Sequence, residues 1–167
     1  MAAARSARRD RTRYVESPPP PARLRVIAIA ALVYRDHVLL AEGHDSVKGE
    51  TFYRPLGGEV EFGERAADAV AREFEEETGL PIEVVDSLGV VENLFTYRGG
   101  PGHEVVFEFV ARLPEGTGPD ELTPLEANEG GERFIAKWLP LAEVLAGAYL
   151  VYPDALPERL AAWVNRL

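Results

Sequence analysis

Three carboxylates spaced to share one face of a helix, Glu73, Glu76 and Glu77, constrain this chain more than any other feature of its sequence. They lie between Gly58 and Leu80, where Glu59, Glu61, Glu64, Asp68 and Glu75 add further negative charge. A helix turns about 100° per residue, which sets Glu76 about −60° and Glu77 about +40° from Glu73. Val70, Phe74 and Ala67 then fall at about +60°, +100° and +120°. An apolar stripe therefore runs beside an acidic one, so that one side packs on a core and the next opens on a cleft. No packing argument requires the acidic stripe. Like charges at helical spacing cost free energy unless a cation neutralises them. Hard divalent ions such as Mg²⁺ take oxygen ligands, so the segment reads as a metal-binding helix, and the metal points to phosphate chemistry. The helix is expected over about Ala66–Thr78, stopped by Gly79 as a left-handed cap with Pro81 just beyond. Its start is less marked: Arg65 stands where a Ser or Thr cap is expected, with Asp68 three residues on to reach back.

The same stretch resembles the Nudix box. The pattern Gly-x5-Glu-x7-Arg-Glu-(apolar)-x-Glu-Glu-x-Gly-(apolar) is met at Gly58, Glu64, Arg72, Glu73, Phe74, Glu76, Glu77, Gly79 and Leu80. The resemblance extends more loosely from about Arg25 to the C-terminus. Many Nudix proteins enter the box through Pro-Gly-Gly; this chain has Arg54-Pro55-Leu56-Gly57-Gly58, with a Leu inserted and both glycines kept. The resemblance implies an α/β/α sandwich around a mixed sheet and a hydrolase acting on phosphoanhydride bonds. It also implies Mg²⁺, with Mn²⁺ as a substitute, held by Glu73, Glu76, Glu77 and the Gly57 carbonyl. Arg72 would orient those carboxylates and Glu64 would brace helix and loop. In MutT-like members a further carboxylate lies six residues before a strand Trp; counting back from Trp138 gives Glu132, with Glu129 as the neighbouring choice. The general base is then Glu73 or the loop carboxylate.

Phosphoanhydride cleavage needs neutralised phosphates, an oriented water and a base for its proton. The expected activity is Mg²⁺-dependent hydrolysis of a diphosphate linkage in a nucleoside diphosphate linked to another moiety. A nucleoside triphosphate pyrophosphohydrolase and a nucleotide-sensing module without turnover are the other readings. Phe52, Phe95 and Tyr97 are candidates to stack on a base, Asp154 to read a base edge, and Glu108 to line the cleft. His103 and Glu104 follow a Gly-rich turn, and a lone His at a strand start reads as structural or solvated.

A length of 167 residues suits one domain with a full core. No apolar run approaches the roughly 20 residues of a membrane span. There is no Cys, which excludes disulfides and thiolate chemistry and fits a reducing, cytoplasmic location. The net charge of −10 is uneven. Residues 1–23 carry six Arg against Asp10 and Glu16, or +4, leaving −14 on the rest. That balance argues against duplex nucleic acid as a ligand, and an anionic substrate would have to arrive with its metal or at a locally basic spot; the resemblance implies a small nucleotide-type substrate, and a homodimer stays open. Residues 1–23, ending at the run Pro18–Pro21, read as a disordered basic tail and 24–167 as the folded domain. Strands are expected at Arg25–Tyr34, Val38–Ala41, Thr51–Pro55, Ile82–Asp86, Leu88–Phe95, Glu104–Leu113 and Phe134–Leu139, a long polar loop at Pro114–Gly131, and helices at Leu141–Gly147 and Leu156–Leu167. Strands outnumber helices in mixed order, so the class is α/β.

Overall fold

The protein is described by a computed structural model covering residues 17–167. The expectation of a disordered tail falls, for residues 1–16, outside the described residues. Among those described, β1 (Leu24–Tyr34), β2 (His37–Asp45), β3 (Glu50–Arg54) and β4 (Leu56–Glu59) precede α1 (Ala66–Thr78). Then come β5 (Glu83–Tyr97), β6 (Gly100–Arg112), β7 (Leu125–Glu129), β8 (Glu132–Pro140), α2 (Leu141–Leu145) and α3 (Leu156–Val164). The strands form one sheet of eight in the order β5-β6-β1-β2-β8-β7, with β3 on β2 and β4 on β1. Only β1 and β6 among the central pairs run parallel, so the sheet is mixed.

β1 explains why the sheet has helices on both sides. Its run from Ile27 to Leu32 is buried residue by residue, with no polar face, as strands covered on both faces require. Ala28, Ala30 and Leu32 point to the layer that holds Val70 and Phe74 of α1. Ala31 points to the layer that holds Val144 of α2 and Leu156 and Leu160 of α3. The result is the expected α/β/α sandwich.

β1 and β2 stay together only at Leu32↔Leu39, Val33↔Val38 and Tyr34↔His37. Beyond that point β4 takes β1's edge over Ile27–Ala30, while β2 pairs with β3 over Ala41–Asp45. The sheet therefore splits, and a cleft occupies the opening.

Four departures from the sequence reading matter. Gly57 and Gly58 belong to a strand, β4, where the sequence reading placed no element. The polar stretch 114–131 contains β7, which pairs with β8 through Leu125↔Ala136 to Glu129↔Glu132. β5 is one long edge strand with bulges at Val84/Asp86 and Ser87/Gly89 instead of two strands. The Gly-rich turn expected before His103 shrinks to Arg98 and Gly99, at φ 50° and 76°, the two positive values a tight hairpin turn demands. No helix among the described residues is long and apolar enough to cross a membrane.

Candidate active site

The acidic helix is anchored from behind. Ala69, Val70 and Phe74 are fully buried against β1, β6 and β8. Gly79 ends the helix at φ 71°, its N–H donating to the Glu75 carbonyl at 2.9 Å, a conformation only Gly adopts without strain. The start has no side-chain cap; Arg65 and Asp68 meet only through the backbone. With the apolar stripe fixed, Glu73, Glu76 and Glu77 are turned to the other side.

Arg72 organises that side. Its Nε and Nη2 donate to the two oxygens of Glu64 at 2.8 and 3.0 Å. Nη1 donates to Glu73 at 2.8 Å and to Glu76 at 3.3 Å, and Nη2 also reaches the Glu59 carbonyl at 3.2 Å. Glu64 in turn accepts from the Glu61 N–H at 3.1 Å, and its carboxyl is held below the usual range, chiefly by Arg72. A parallel two-bond pair with both side chains mostly covered fixes geometry. It contrasts with the open Arg112–Glu83 pair on this protein's surface, which is worth at most about 1 kcal/mol. Through Arg72, Glu64 braces the loop before α1 against the helix and sets the rotamers of Glu73 and Glu76.

Glu77 differs from its neighbours. It is 7% exposed, and its carboxyl is pushed up to about 8. Burial is the main cause, followed by the charges of Glu129, Glu73 and Glu76, with Arg54 opposing them. Glu129 ends β7, and Glu132 faces it across the turn made by Gly130 and Gly131. Alternation along β8 sets Glu132 on the face of Ala136 and Trp138, toward α1. Both acids line the cleft. Glu129 is the one whose charge bears on Glu77, and Arg54, 3.6 Å from Glu129, tempers it.

The paired glycines are required by contact. A Cβ on Gly57 would lie 2.0 Å from the Ala28 carbonyl oxygen, and one on Gly58 2.4 Å from Cδ of Glu73. Gly57 also stands at φ 147°. β4 therefore slots flush between β1 and the acidic helix, bringing backbone alongside Glu73.

The cleft in the split of the sheet has a volume of about 540 Å³, within the usual range for small-molecule sites. Ile27 and Ile29 line it from β1, and Phe52, Phe95, Tyr97 and Asp154 line it as well. Phe52 lies across Gly43 and meets Tyr97 and Tyr152 edge-on at centroid distances of 5.9 and 5.4 Å. Glu108 is a correction: it is fully buried on the helix side and bonds Arg159 of α3 at 2.8 Å, so it ties α3 to the sheet. His103 pairs with Glu92 at 2.8 Å on the surface. Sequence reasoning missed Arg54, whose signal was its place just before Pro55, and the proline run. Pro18–Pro21 line the cleft; Arg98 Nη1 holds the Ser17 carbonyl at 2.9 Å, and Arg23 grips Glu59 with two bonds of 2.6 and 2.8 Å.

No three acidic or His side chains among the described residues already converge as a ligand shell; Arg72 holds Glu73 and Glu76 instead. The donor set nonetheless suits a hard divalent cation. Glu73, Glu76, Glu77 and Glu129 offer only oxygen, and a buried carboxylate crowded by others lacks positive charge.

Comparison with known proteins places this geometry. The sequence profile of the NUDIX domain matches residues 24–159. The MutT NUDIX hydrolase of Burkholderia pseudomallei superposes with a TM-score of 0.53 at 26% identity, over 72% of this chain and 85% of that one. A NUDIX hydrolase of Nitrosomonas europaea superposes with a TM-score of 0.60 at 19% identity, over 86% and 90%, and speaks for the fold alone. The octanoyltransferase of Myxococcus xanthus is 41% identical over 75 residues, 43% of this chain. The match spans only 20% of that protein's length.

Proposed function

The chain belongs to the NUDIX domain family, and from that premise we propose that it hydrolyses the diphosphate linkage of a nucleoside diphosphate joined to another moiety, with Mg²⁺ as its cation. The observation that carries this reading is Glu77. It is buried, the charges of Glu129, Glu73 and Glu76 bear on it, and Glu129 lines the cleft of about 540 Å³. A folded chain tolerates such a cluster when a bound cation offsets it. Glu73, Glu76, Glu77 and the Gly57 carbonyl would hold Mg²⁺, joined by Glu129. When bound, the ion neutralises phosphate oxygens and makes water more acidic.

The protein's own groups do the rest. Arg72 keeps Glu73 and Glu76 aimed, so little reorganisation is needed during reaction. Glu73 or one of the hairpin acids, Glu129 or Glu132, accepts the proton of the attacking water. An oxygen–phosphorus bond forms, the anhydride oxygen–phosphorus bond breaks, and the leaving phosphate departs as a monoester. The test is a panel of nucleoside diphosphate-linked compounds and nucleoside triphosphates, with Mg²⁺ supplied, in ¹⁸O-water. Two phosphate monoesters from a linked compound, one carrying a single ¹⁸O, are expected. Cleavage confined to triphosphates, with release of pyrophosphate, overturns the proposal.

The proline run yields a second prediction. Because Pro18–Pro21 line the cleft, a variant beginning at residue 23 should show a KM raised several-fold over one beginning at residue 17, with kcat retained. Arg23 and its hold on Glu59 are intact in both. Equal KM values for the two truncations would show that the prolines do not wall the substrate.

A further inference from the structure

One row of polar side chains crosses the floor of the cleft and has no role in the chemistry above. β1, β6 and β5 are in register at Arg25↔Glu104 and Glu104↔Asn93, so a guanidinium, a carboxylate and an amide stand side by side on one face of the sheet. All three line the cleft. The neighbouring row is apolar: Ile27 and Val106, with Val91 packed against them. Glu104 is 5% exposed, and among the described residues its one bond is a long one, 3.3 Å, from Arg25 Nη1. An ionised carboxylate has about four acceptor sites, so most of its capacity is unspent. Among the described residues Glu104 has no side-chain oxygen that is both sealed from solvent and unpartnered, so its free lone pairs are reachable from the cleft, where a ligand with N–H donors can meet them.

Beside this carboxylate lies an aromatic ring. Phe95 is two residues from Asn93 on the same face of β5 and pairs with Gly102. A Cβ on Gly102 would come within 2.2 Å of the Phe95 ring. The ring tip therefore lies across β6 at the position next to Glu104, which only Gly permits. A flat ring and an acceptor-only group side by side define a ligand that is planar and carries paired donors on one edge.

We propose that Glu104, with Asn93 beside it and Phe95 as the stacking surface, is the base-reading subsite of this protein, and that the base is guanine. Guanine presents a ring N–H and an exocyclic amine next to each other, matching the two oxygens of one carboxylate. Adenine and cytosine set a ring nitrogen acceptor beside their amine, which a carboxylate repels. Uracil offers a single N–H between two carbonyls. The subsite rests on the reading that the substrate is a nucleotide; the diphosphate would extend from it toward Glu77.

The test separates the base from the chemistry. Dissociation constants of GMP, IMP and AMP are measured by calorimetry in EDTA, where no hydrolysis occurs. GMP should bind at least about tenfold more tightly than IMP, which lacks only the amine, and than AMP, because bonds to a charged group are worth about 1.5–3 kcal/mol. Glu104→Gln should weaken GMP about tenfold or more while changing AMP less than about threefold. Equal binding of GMP and AMP by the unaltered protein, or a uniform loss for all three in the variant, overturns the proposal. The unaltered protein's ratios need no variant to fold. A guanine preference in a protein that cleaves no diphosphate linkage would leave this subsite standing and remove the proposed reaction.

Discussion

Glu77→Gln should lower kcat by about 10²–10³, because it removes an anionic oxygen where charge must be met in the transition state while leaving shape unchanged. The same substitution should stabilise the metal-free fold. Glu77 has a folded pKa of about 8 against an ordinary 4.5. Its neutral form is favoured in the native state. It therefore contributes stability fully below about pH 4.5, and that contribution is lost as the pH rises through 8. Gln has no such loss. Urea denaturation in EDTA should show the variant gaining on the unaltered protein between pH 5 and pH 8, and added Mg²⁺ should narrow the gap. Glu59 and Glu64, held below their usual range by Arg23 and Arg72 respectively, act in the opposite direction at lower pH. They do so equally in both proteins. A variant with near-unaltered kcat would remove Glu77 from the ligand set.

The hairpin acids should separate by kind of defect. If one of them is the base, its Gln variant loses about 10²–10⁴ in kcat at saturating Mg²⁺, and the acidic limb of the pH–rate profile disappears with it. Glu129 bears on the charge of Glu77, so Glu129→Gln is expected to weaken metal binding as well and to be partly rescued by more Mg²⁺. Glu132→Gln is expected to show the base signature without that rescue. If both variants lose less than about threefold in kcat, the proton goes to Glu73 and the hairpin is a bystander.

The box helix was legible because two independent periodicities coincide there. Apolar residues recur at helical spacing, and the acids recur beside them, bounded by Gly79 and Pro81. β1 was legible from its unbroken apolar run. β4 was not, because a strand of Leu-Gly-Gly-Glu has almost no side-chain pattern; its pairing is dictated by what β1 lacks on that edge. β7 was hidden for a related reason. Leu-Glu-Ala-Asn-Glu buries only Ala127, so it reads as loop until β8 pairs with it. The choice between Glu129 and Glu132 lay beyond counting from Trp138, since the two sit directly opposite each other and their distances to Glu77 depend on how the hairpin meets α1. The cleft's polar row was equally invisible: Asn93 meets Glu104 through the antiparallel β5–β6 hairpin, and Arg25, far off in sequence, joins them only through the parallel pairing of β1 with β6.

The split between β1 and β2 also has a mechanical meaning. Beyond a spine of three residue pairs the sheet is two leaves, one of β4, β1, β6 and β5, the other of β3, β2, β8 and β7. Helix α1 lies against both, through β4 and β1 on one side and β7 on the other. Glu129 of one leaf bears electrostatically on Glu77 of the helix that spans the seam, and ionising both would set like charges across it. A cation between them would act as a rivet. Backbone amides of β7 should then exchange with solvent more slowly when Mg²⁺ is bound, while those of the β1–β6 pair, inside one leaf, should not change.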